Sequence, residues 1–517
     1  MSRTLTLVLL LAAAALVLRL PRLEHRPMHN DEAVNAIKFG RLWEQGTYKY
    51  DPNEHHGPSL YYATLLLGRL TGAPDFDHYS ENRLRLVTVL FGVGLVLLVP
   101  LLGDGLGRQG VSWAGLFAIV SPAMVFYSRY YIHEMLLVFF TMLALAAGWR
   151  YWRLRRLGWA LLAGAALGLM SATKETFVIT LGAAALALFL NQAWNRALDA
   201  SAPPFKALPL NLGHLAAALG VWVVVALLLF SSFLTNASGP LDAVRTYLPW
   251  LHRAAGESPH IHPWHFYLHR LLWFHEGNGP RWTEVLIFVL ALIAAHAGFA
   301  RRRLGGANAS FVRFLVFYTF LLTAFYSLIA YKTPWCLLNF WLDMILLAGI
   351  GVGVLLRVVR RQNLRLTISF LLIAGAGHLT WQTWLANTTY AAASCNPYVY
   401  AQTSPDILNL VTRVESLADV HPQGRAMVIK VMAPEGDYWP LPWYLRTFKH
   451  VGWYDKLPED PFAPVMIVST TFQAGLDEKK THVMPQLSAL RPGVFLELYV
   501  QTELWRDWLA KHPAKPE

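Results

Sequence analysis

The sequence predicts a polytopic α-helical membrane protein that ends in a small α/β domain outside the membrane. Of its 517 residues, 55% are hydrophobic and only 15% are charged, whereas soluble domains carry about 25% charged residues. Apolar stretches long enough to cross a bilayer, about 20 residues each, recur along most of the chain. After about residue 387 the pattern changes to short helix and strand signals. These observations predict a transmembrane domain over residues 1–390 and an α/β domain over 391–517.

About eleven segments are predicted to cross the membrane. They cover residues 4–20, 83–103, 111–128, 134–149, 158–173, 175–192, 212–235, 284–300, 314–331, 334–356 and 365–386. Basic residues concentrate in alternate short connections, such as 150–156 and 357–365, and the positive-inside rule assigns those connections to the cytoplasm. An odd number of spans then places the N-terminus inside and the C-terminal domain outside. The net charge of +12 is therefore attributed to topology, and no nucleic-acid partner is expected.

The first apolar segment, Leu5 to Leu20, is expected to stay as a membrane anchor, because no convincing signal-peptide cleavage site precedes the basic stretch that follows it. Two long loops, 21–82 and 236–283, are predicted to lie outside. In the first, Asp31 to Trp43 has the pattern of an amphipathic helix along the membrane surface. The second is rich in His, Trp and Pro, but its histidines lack clean metal-ligand spacing. They are interpreted as an interfacial belt.

The α/β domain is expected to open with a helix from Ser404-Pro405-Asp406, which has N-cap and first-turn chemistry, to about Val420. Residues 426–432 and 465–470 are β-branched runs typical of buried strands. The two cysteines, Cys336 and Cys395, provide no disulfide framework.

Polar residues accumulate where the predicted spans meet the outer interface. The acidic pair Asp31-Glu32 follows the first span, residues 128–134 join the third and fourth, 173–175 join the fifth and sixth, and 331–335 join the ninth and tenth. The opposite ends carry arginine and little else. Ionisable groups near hydrocarbon are costly and usually mark a pathway or a reaction site. One side of the membrane is therefore predicted to hold the functional site.

These residue types suit the transfer of a sugar from a lipid phosphate, which needs a base for the acceptor and cations for the departing phosphate. Asp31 is the predicted base, with Glu134 and Glu32 as further catalytic carboxylates. The predicted substrate-binding residues are Arg129, Lys174, Lys332, His55, His56 and Tyr131. Carboxylate oxygens suit hard divalent cations, so Asp31 and Glu134 are also candidate metal ligands. The sequence does not show that a metal ion is bound.

Each candidate also has a structural alternative. Asp31 can cap the helix that follows it, and Glu134 at the start of a span suits the helix dipole. Lys174 can extend to the interface between two tight spans. Lys332 can act as an interface anchor beside Trp335, and Arg129 can pair with Glu134. The His55-His56-Gly57-Pro58 stretch can form a turn.

Taken together, these motifs resemble the GT-C glycosyltransferases, especially the protein O-mannosyltransferases and the lipid A aminoarabinose transferases. The shared features are the acidic pair, the surface helix, Arg129-x-x-x-x-Glu134 and Thr173-Lys174. Four stretches are similar to the mannosyltransferase-related "flippase activity-associated" proteins: His29-Asn30-Asp31-Glu32-Ala33, His56-Gly57-Pro58, Tyr331-Lys332-Thr333-Pro334-Trp335 and Tyr398-Val399-Tyr400-Ala401-Gln402-Thr403-Ser404.

The resemblance implies a GT-C type fold, Asp31 as the catalytic acid/base position, Glu134 as the second acidic position, and a polyprenyl-phosphate-linked sugar as donor. The second acid is Glu where many relatives have Asp, and the C-terminal domain is not the sugar-binding domain of the eukaryotic O-mannosyltransferases.

The sequence thus predicts a glycosyltransferase of the bacterial inner membrane whose cavity opens to the periplasm. Its partners would be membrane lipids, the lipid-linked donor, and a protein, lipid or glycan acceptor that receives the sugar with inversion. One alternative is a flippase, or a flippase-accessory protein, for lipid-linked sugars without transferase activity. Another is a non-catalytic scaffold that presents the C-terminal domain. Transporters carry charged residues in mid-span, and the nearly charge-free middles of these spans favour the enzyme.

Overall fold

The structure, a computed structural model, describes residues 3–53, 56–73, 75–198, 211–250, 260–300, 304 and 306–513. Its helices in chain order are α1 Arg3–Arg19, α2 Asn30–Gln45, α3 Ser59–Thr71, α4 Glu81–Leu98, α5 Gly103–Val120, α6 Pro122–Ser128, α7 Glu134–Leu154, α8 Leu157–Ser171, α9 Phe177–Leu198, α10 Leu212–Phe230, α11 Gly239–Arg245, α12 Phe266–Leu272, α13 Val285–Phe299, α14 Ala309–Leu328, α15 Leu338–Val358, α16 Gln362–Asn387, α17 Asp406–Ala418, α18 Leu441–Tyr444 and α19 Thr502–Lys511.

Within the described ranges, seven helical segments are long and apolar enough to cross a membrane. One is the 40-residue segment Glu81–Val120, which contains α4 and α5 in succession. Three shorter apolar helices, Leu9–Arg19, Leu157–Ser171 and Val285–Phe299, accompany them. Each of the predicted spans overlaps one of these apolar segments, with 83–103 and 111–128 sharing Glu81–Val120, and the chain is a multi-pass membrane protein. The number of eleven spans stays a prediction.

The third predicted span, 111–128, is broken in the structure. Helix α5 ends at Val120, Ser121 is extended (φ −61°, ψ 120°), and α6 begins at Pro122. Proline has no backbone N–H to donate and disfavours helical geometry at the residue before it. The Ser121 hydroxyl caps α6 by accepting from the backbone N–H of Met124 (3.4 Å). The break turns the chain so that α6 and the segment after it approach α7 from the outer end.

Helix α2 has the predicted amphipathic character, but its apolar face is covered by protein. Ala33, Ala36, Phe39 and Leu42 are fully buried in a core that includes side chains of α3 and α4. The helix ends at Gly46, whose left-handed conformation (φ 71°) allows its N–H to bond to the carbonyl of Leu42. The segment after the first span is therefore a packed part of the membrane domain's outer end.

The C-terminal domain contains a five-stranded sheet, where the sequence pattern had indicated two strands. The strands are β1 Val428–Met432, β2 His450–Tyr454, β3 Val465–Ser469, β4 His482–Arg491 and β5 Val494–Gln501. Their order is β2-β1-β3-β5-β4; β1 runs parallel to both neighbours, and β5 runs antiparallel to both of its own. Helix α17 matches the predicted helix and packs its buried face on this sheet.

An aromatic segment, residues 438–446, docks this domain on the end of the membrane domain that carries α2. The Trp443 indole, fully buried, donates to Oε1 of Glu81 (2.9 Å). The Tyr444 hydroxyl accepts from the backbone N–H of Met28 (2.8 Å). Arg446 lies over the Trp443 ring (3.7 Å) and donates to the carbonyl of Tyr79 (2.6 Å). The sheet domain thus lies on the same side of the helix bundle as Asp31.

The other end of the bundle is basic. Arg150 and Arg153 at the end of α7 reach Asp104 at the start of α5, at 3.5 and 3.3 Å. Among the described residues, the charged side chains of the apolar helices all lie within two turns of a helix end, with Asp343 in the second turn of α15. The middle of the bundle is apolar.

Candidate active site

A cavity of about 250 Å³ opens at the end of the bundle that carries α2, beside the first turn of that helix. Its polar lining includes Asn30, Asp31, His56, His133, Glu134 and Lys174. Its aromatic lining includes Trp250, Tyr267, Tyr326, Tyr331 and Trp335. The structure thus brings together Asp31, Glu134, Lys174 and His56, which lie far apart in the sequence. Their roles in chemistry stay predictions.

Asp31 is the exposed acid of this cavity. It occupies the first turn of α2, and 43% of its side chain is exposed. Its backbone N–H donates to Nδ1 of His29 (3.1 Å), and Nε2 of His29 lies 3.0 Å from the carbonyl of Tyr400. An imidazole that accepts at Nδ1 carries its proton on Nε2 and is neutral. Burial also lowers the pKa of His29. His29 therefore orients the Asp31 turn without supplying a positive charge.

Glu32, predicted as a catalytic residue, is bound by Arg85 and is not among the residues that line the cavity. Arg85 donates from Nε to Oε1 (2.8 Å) and from Nη2 to Oε2 (2.7 Å). The backbone N–H groups of Tyr131 (2.9 Å) and His29 (3.0 Å) also donate to this carboxylate. Burial alone raises its pKa, but Arg85 and Arg26 overcome this and lower the pKa of Glu32 to about 2. Glu32 is a permanently charged anchor for α2.

Glu134 and Lys174 form a buried ion pair in the cavity wall. Glu134 opens α7, and Lys174 lies in the connection between α8 and α9. Lys174 Nζ donates to Oε1 of Glu134, and the two side chains are 7% and 3% exposed respectively. Burial lowers the pKa of Lys174, but the carboxylate of Glu134 more than offsets this and raises it. The cavity therefore contains the ammonium group of Lys174, whose positive charge is balanced by the carboxylate of Glu134.

The lining does not fit a divalent cation. In the part of the chain that the structure describes, no group of three or more His, Cys, Asp or Glu side chains is arranged to hold a metal ion. Glu134, one of the two expected ligands, already binds the ammonium group of Lys174. A metal ion bound between Asp31 and Glu134 would compete with the ammonium group of Lys174 for the Glu134 carboxylate.

His56 is positioned at the cavity by a close backbone contact of the residues that follow it. The N–H groups of Gly57 and Ser59 donate to the carbonyls of Thr173 and Ala172, both at 3.0 Å. A Cβ on Gly57 would lie 2.2 Å from the carbonyl oxygen of Ala172, so only glycine fits. His55, the neighbouring prediction, lies outside the described residues.

Three predicted substrate-binding residues, Arg129, Lys332 and Tyr131, form hydrogen bonds within the protein away from the cavity, and their roles in binding stay predictions. Arg129 donates from Nη1 to the carbonyls of Arg19 (2.8 Å) and Pro21 (2.7 Å), so it braces the chain after α1. Burial lowers its pKa to about 9. Lys332 donates from Nζ to the carbonyls of His262 (2.8 Å) and Ile329 (2.5 Å). The Tyr131 hydroxyl is bonded to Thr64 (2.7 Å). None of the three lines the cavity.

The Tyr398–Ser404 stretch connects the site to the C-terminal domain. Beyond the contact of Tyr400 with His29, Gln402 donates to the carbonyl of Pro27 (3.1 Å) and Thr403 donates to that of Met28 (2.7 Å). The Tyr400 hydroxyl lies 2.7 Å from Nδ1 of His260 and 2.9 Å from Nε2 of His262. This stretch therefore fixes the backbone that immediately precedes Asp31.

Several lining residues were missed by sequence reasoning. His133 precedes Glu134, and its Nε2 lies 2.9 Å from the carbonyl of Gly57; its position at the outer end of a span was the available signal. Tyr267 and Tyr326 lie in helices among Phe and Leu residues, and nothing in the pattern distinguishes them from core residues. Tertiary packing alone places them at the cavity.

Comparison with known proteins gives a family match and shared folds. Residues 61–236 match the family model described as dolichyl-phosphate-mannose-protein mannosyltransferase. No curated protein matches the sequence. The crystal structure of ArnT from Cupriavidus metallidurans bound to undecaprenyl phosphate is similar over 100% of both chains, with a TM-score of 0.60 and 15% identity. Its apo state has a TM-score of 0.63.

Two further solved structures are similar over most of this chain. The Archaeoglobus fulgidus oligosaccharyltransferase, in complex with Zn and sulfate, has a TM-score of 0.52 and 12% identity over 90% of this chain and 68% of that chain. The arabinofuranosyltransferase AftD from Mycobacteria has a TM-score of 0.50 and 14% identity over 97% of this chain and 40% of that chain. At these identities the likeness establishes the fold.

Proposed function

We propose that the protein transfers a sugar from a polyprenyl-phosphate donor to an acceptor on the extracytoplasmic side of the membrane. The chain has the fold of the GT-C glycosyltransferases, as its motifs predicted. The observation that carries the proposal is the shared cavity: the exposed carboxylate of Asp31 and the Glu134–Lys174 pair line one space. The ArnT structure bound to undecaprenyl phosphate supports a lipid phosphate as donor. The narrower assignment to the flippase-associated branch remains a prediction.

The reaction is a single displacement at the sugar's anomeric carbon. Asp31 takes the proton of the acceptor hydroxyl as its oxygen bonds to that carbon. The bond from the anomeric carbon to the phosphate oxygen breaks, and its electron pair leaves with the polyprenyl phosphate. Attack from the face opposite the departing phosphate inverts the configuration. Asp31 suits this role because it is half exposed and, among the described residues, has no Lys or Arg within ion-pair distance.

Lys174 is the cation proposed to meet the phosphate. As the bond to the sugar breaks, the phosphate gains negative charge, and a nearby ammonium group in a dry site stabilises it. Lys174 is the Lys or Arg side chain that the described lining offers. Glu134 holds that ammonium group in place and keeps it charged before the donor arrives. The aromatic lining provides surfaces for a sugar ring.

The sidedness is part of the proposal. The cavity and the sheet domain lie at one end of the bundle and the basic connections at the other. The positive-inside rule makes the basic end cytoplasmic. We therefore place the cavity and the C-terminal domain at the periplasmic face of a bacterial inner membrane. The proposal names no particular sugar, and it covers a protein, a lipid or a glycan as acceptor.

The alternative, a flippase or its accessory without transferase activity, is less well supported. Alternating access places binding groups near the bilayer midplane, whereas the described charges lie within two turns of helix ends. The decisive assay uses purified protein in liposomes with undecaprenyl-phosphate-linked, radiolabelled mannose, glucose or aminoarabinose. It measures both transfer of label and movement of the lipid between leaflets. Lipid movement without any transfer would favour the flippase.

Asp31→Asn tests the assigned base. We expect kcat to fall by about 10²–10⁴-fold, with an unchanged thermal midpoint because the side chain is isosteric and half exposed. Asp77→Asn is the matched control, since Asp77 is an exposed loop residue away from the cavity. Full transfer by the Asp31 variant would remove the proposed base.

A further inference from the structure

His56 and Glu175 form a histidine–carboxylate pair whose imidazole faces the cavity. Nδ1 of His56 lies 2.8 Å from Oε2 of Glu175. The imidazole side chain is 38% exposed and lines the cavity, whereas the carboxylate is only 8% exposed and lies behind it. Because an ionised carboxylate only accepts hydrogen bonds, Nδ1 carries the proton in neutral His56. Nε2, which has no hydrogen bond within the described chain, then presents its lone pair to the cavity.

The pair is rigidly built. Residues 57–59 and 172–173 are joined by two backbone hydrogen bonds, and the Ser59 and Thr173 hydroxyls lie 2.7 Å apart. The His133 ring packs edge-on against His56, with ring centroids 5.3 Å apart. Tyr50 donates its hydroxyl to Oε1 of Glu175 (3.3 Å). A catalytic group must be held in a fixed geometry, and here both members are held by neighbours on different elements.

The charge of the Glu175 carboxylate is the second feature of the pair. Among the described residues, Glu175 has no Lys or Arg within ion-pair distance; Lys174, its neighbour in sequence, is bound to Glu134. Burial alone raises the pKa of Glu175, but His56 overcomes this and lowers it. A buried carboxylate without a cation is costly. Protonation of His56 supplies the missing positive charge.

We propose that the His56–Glu175 pair is a proton-accepting relay of this cavity, a role that rests on the proposed transferase function. The acceptor's O–H bond breaks and its proton moves to Asp31. The proton then leaves the Asp31 carboxyl group and passes across the shared cavity to Nε2 of His56. The resulting imidazolium pairs with the Glu175 carboxylate, and Asp31 is again a carboxylate. His56 loses the proton to solvent through its exposed edge before the next cycle.

Other titratable groups face this pair and must be held constant in any test. They are Asp31 on α2, His133 and Glu134 at the start of α7, Lys174 beside Glu175, and the tyrosines Tyr48, Tyr50 and Tyr247. The variants of His56, Glu175 and Asp75 below leave all of them in place. The chain also carries a matched internal control, His78, whose Nδ1 lies 2.6 Å from Asp75 in an exposed pair outside the cavity.

The first test needs no substrate turnover. Diethyl pyrocarbonate modifies neutral imidazoles, and peptide mass spectrometry of the full-length protein in liposomes gives the modification rate of His56 and His78 against pH. Removing an opposite charge from an ionisable group shifts its pKa by about 1–3 units. We expect Glu175→Gln to lower the midpoint for His56 by that amount and leave His78 unchanged. Asp75→Asn should do the reverse. Undecaprenyl phosphate should protect His56 only.

The second test separates this inference from the proposed function. With the labelled undecaprenyl-phosphate sugars, His56→Gln should lower kcat by about 10²-fold, the lower end of the range for proton-transfer groups, and remove one ionisation from the pH profile of kcat. Added imidazole should restore part of the rate. An unchanged pH profile in His56→Gln, or a His56 midpoint insensitive to Glu175→Gln, overturns the relay. Activity of Asp31→Asn would instead overturn the proposed base.

Discussion

The ammonium group of Lys174 binds the carboxylate of Glu134 inside the cavity, although Lys174 lies in a connection between two helices and Glu134 opens a third helix 40 positions earlier. The pair is almost completely buried. A buried pair of this kind contributes little net stability compared with an apolar pair, but loss of one partner leaves an uncompensated charge. The pair therefore couples the folding of the membrane domain to the charge of the proposed phosphate site.

This coupling predicts a non-additive double-mutant cycle. Glu134→Gln and Lys174→Met should each destabilise the protein by about 3–5 kcal/mol, because each strands a buried charge. The double variant should recover most of that loss. Only variants without Lys174 should lose affinity for undecaprenyl phosphate. Thermal unfolding in detergent and binding by native mass spectrometry measure the two effects. Additive losses of stability would contradict the pairing.

Glu32 should behave as a structural residue with a defined pH range. Its pKa in the folded protein, about 2, lies below the ordinary value of 4.5. Its contribution to stability is therefore fully present above pH 4.5 and is lost as the pH falls toward 2. Glu32→Gln should be strongly destabilised at neutral pH, since Arg85 would be left buried without its partner. Thermal midpoints measured from about pH 2 to about pH 7, which span the range set by linkage, test this.

Glu24→Gln is the control for that experiment, because Glu24 is exposed and its carboxylate accepts a hydrogen bond from the side chain of Asn82. We expect its unfolding to match the wild type at neutral pH. A Glu32 variant as stable as this control would show that the Arg85 contact is dispensable.

Gly57 should not tolerate a side chain. The Cβ of Gly57→Ala would meet the Ala172 carbonyl at 2.2 Å, and both partners are backbone atoms that cannot rotate away. We expect a loss of thermal stability and a displaced His56, visible as slower modification by diethyl pyrocarbonate. Gly148→Ala is the matched control, since a Cβ there meets nothing within 4 Å and Gly148 lies inside helix α7. That substitution should be neutral or slightly stabilising.

The proposed sidedness predicts the outcome of reporter fusions. Alkaline phosphatase fused after the C-terminus should be active, because the reporter folds only outside the cytoplasm. Green fluorescent protein inserted between α7 and α8, beside Arg155 and Arg156, should fluoresce because that connection is expected to be cytoplasmic. The reverse pattern would place the cavity on the cytoplasmic face and contradict the extracytoplasmic reaction.

The sequence by itself determined the class of protein and the end of the bundle that carries the site. Hydropathy and charge bias are local properties, so the apolar helices and the polar connection at Lys174 could be recognised without knowing their neighbours. The same holds for Asp31, because its position after an apolar segment is itself the signal. The break at Ser121–Pro122 was missed, since the apolar pattern continues across it.

Only the tertiary structure decided which charged groups remain available for chemistry. Asp31 and Glu32 are adjacent in the sequence, yet Asp31 lines the cavity, whereas Glu32 is paired with Arg85, 53 residues further along the chain. Likewise, Arg129 and Lys332 bind carbonyl groups, whereas His56 gains a carboxylate partner from a distant segment. A side chain's chemistry depends on its partners and its burial, and long-range packing sets both.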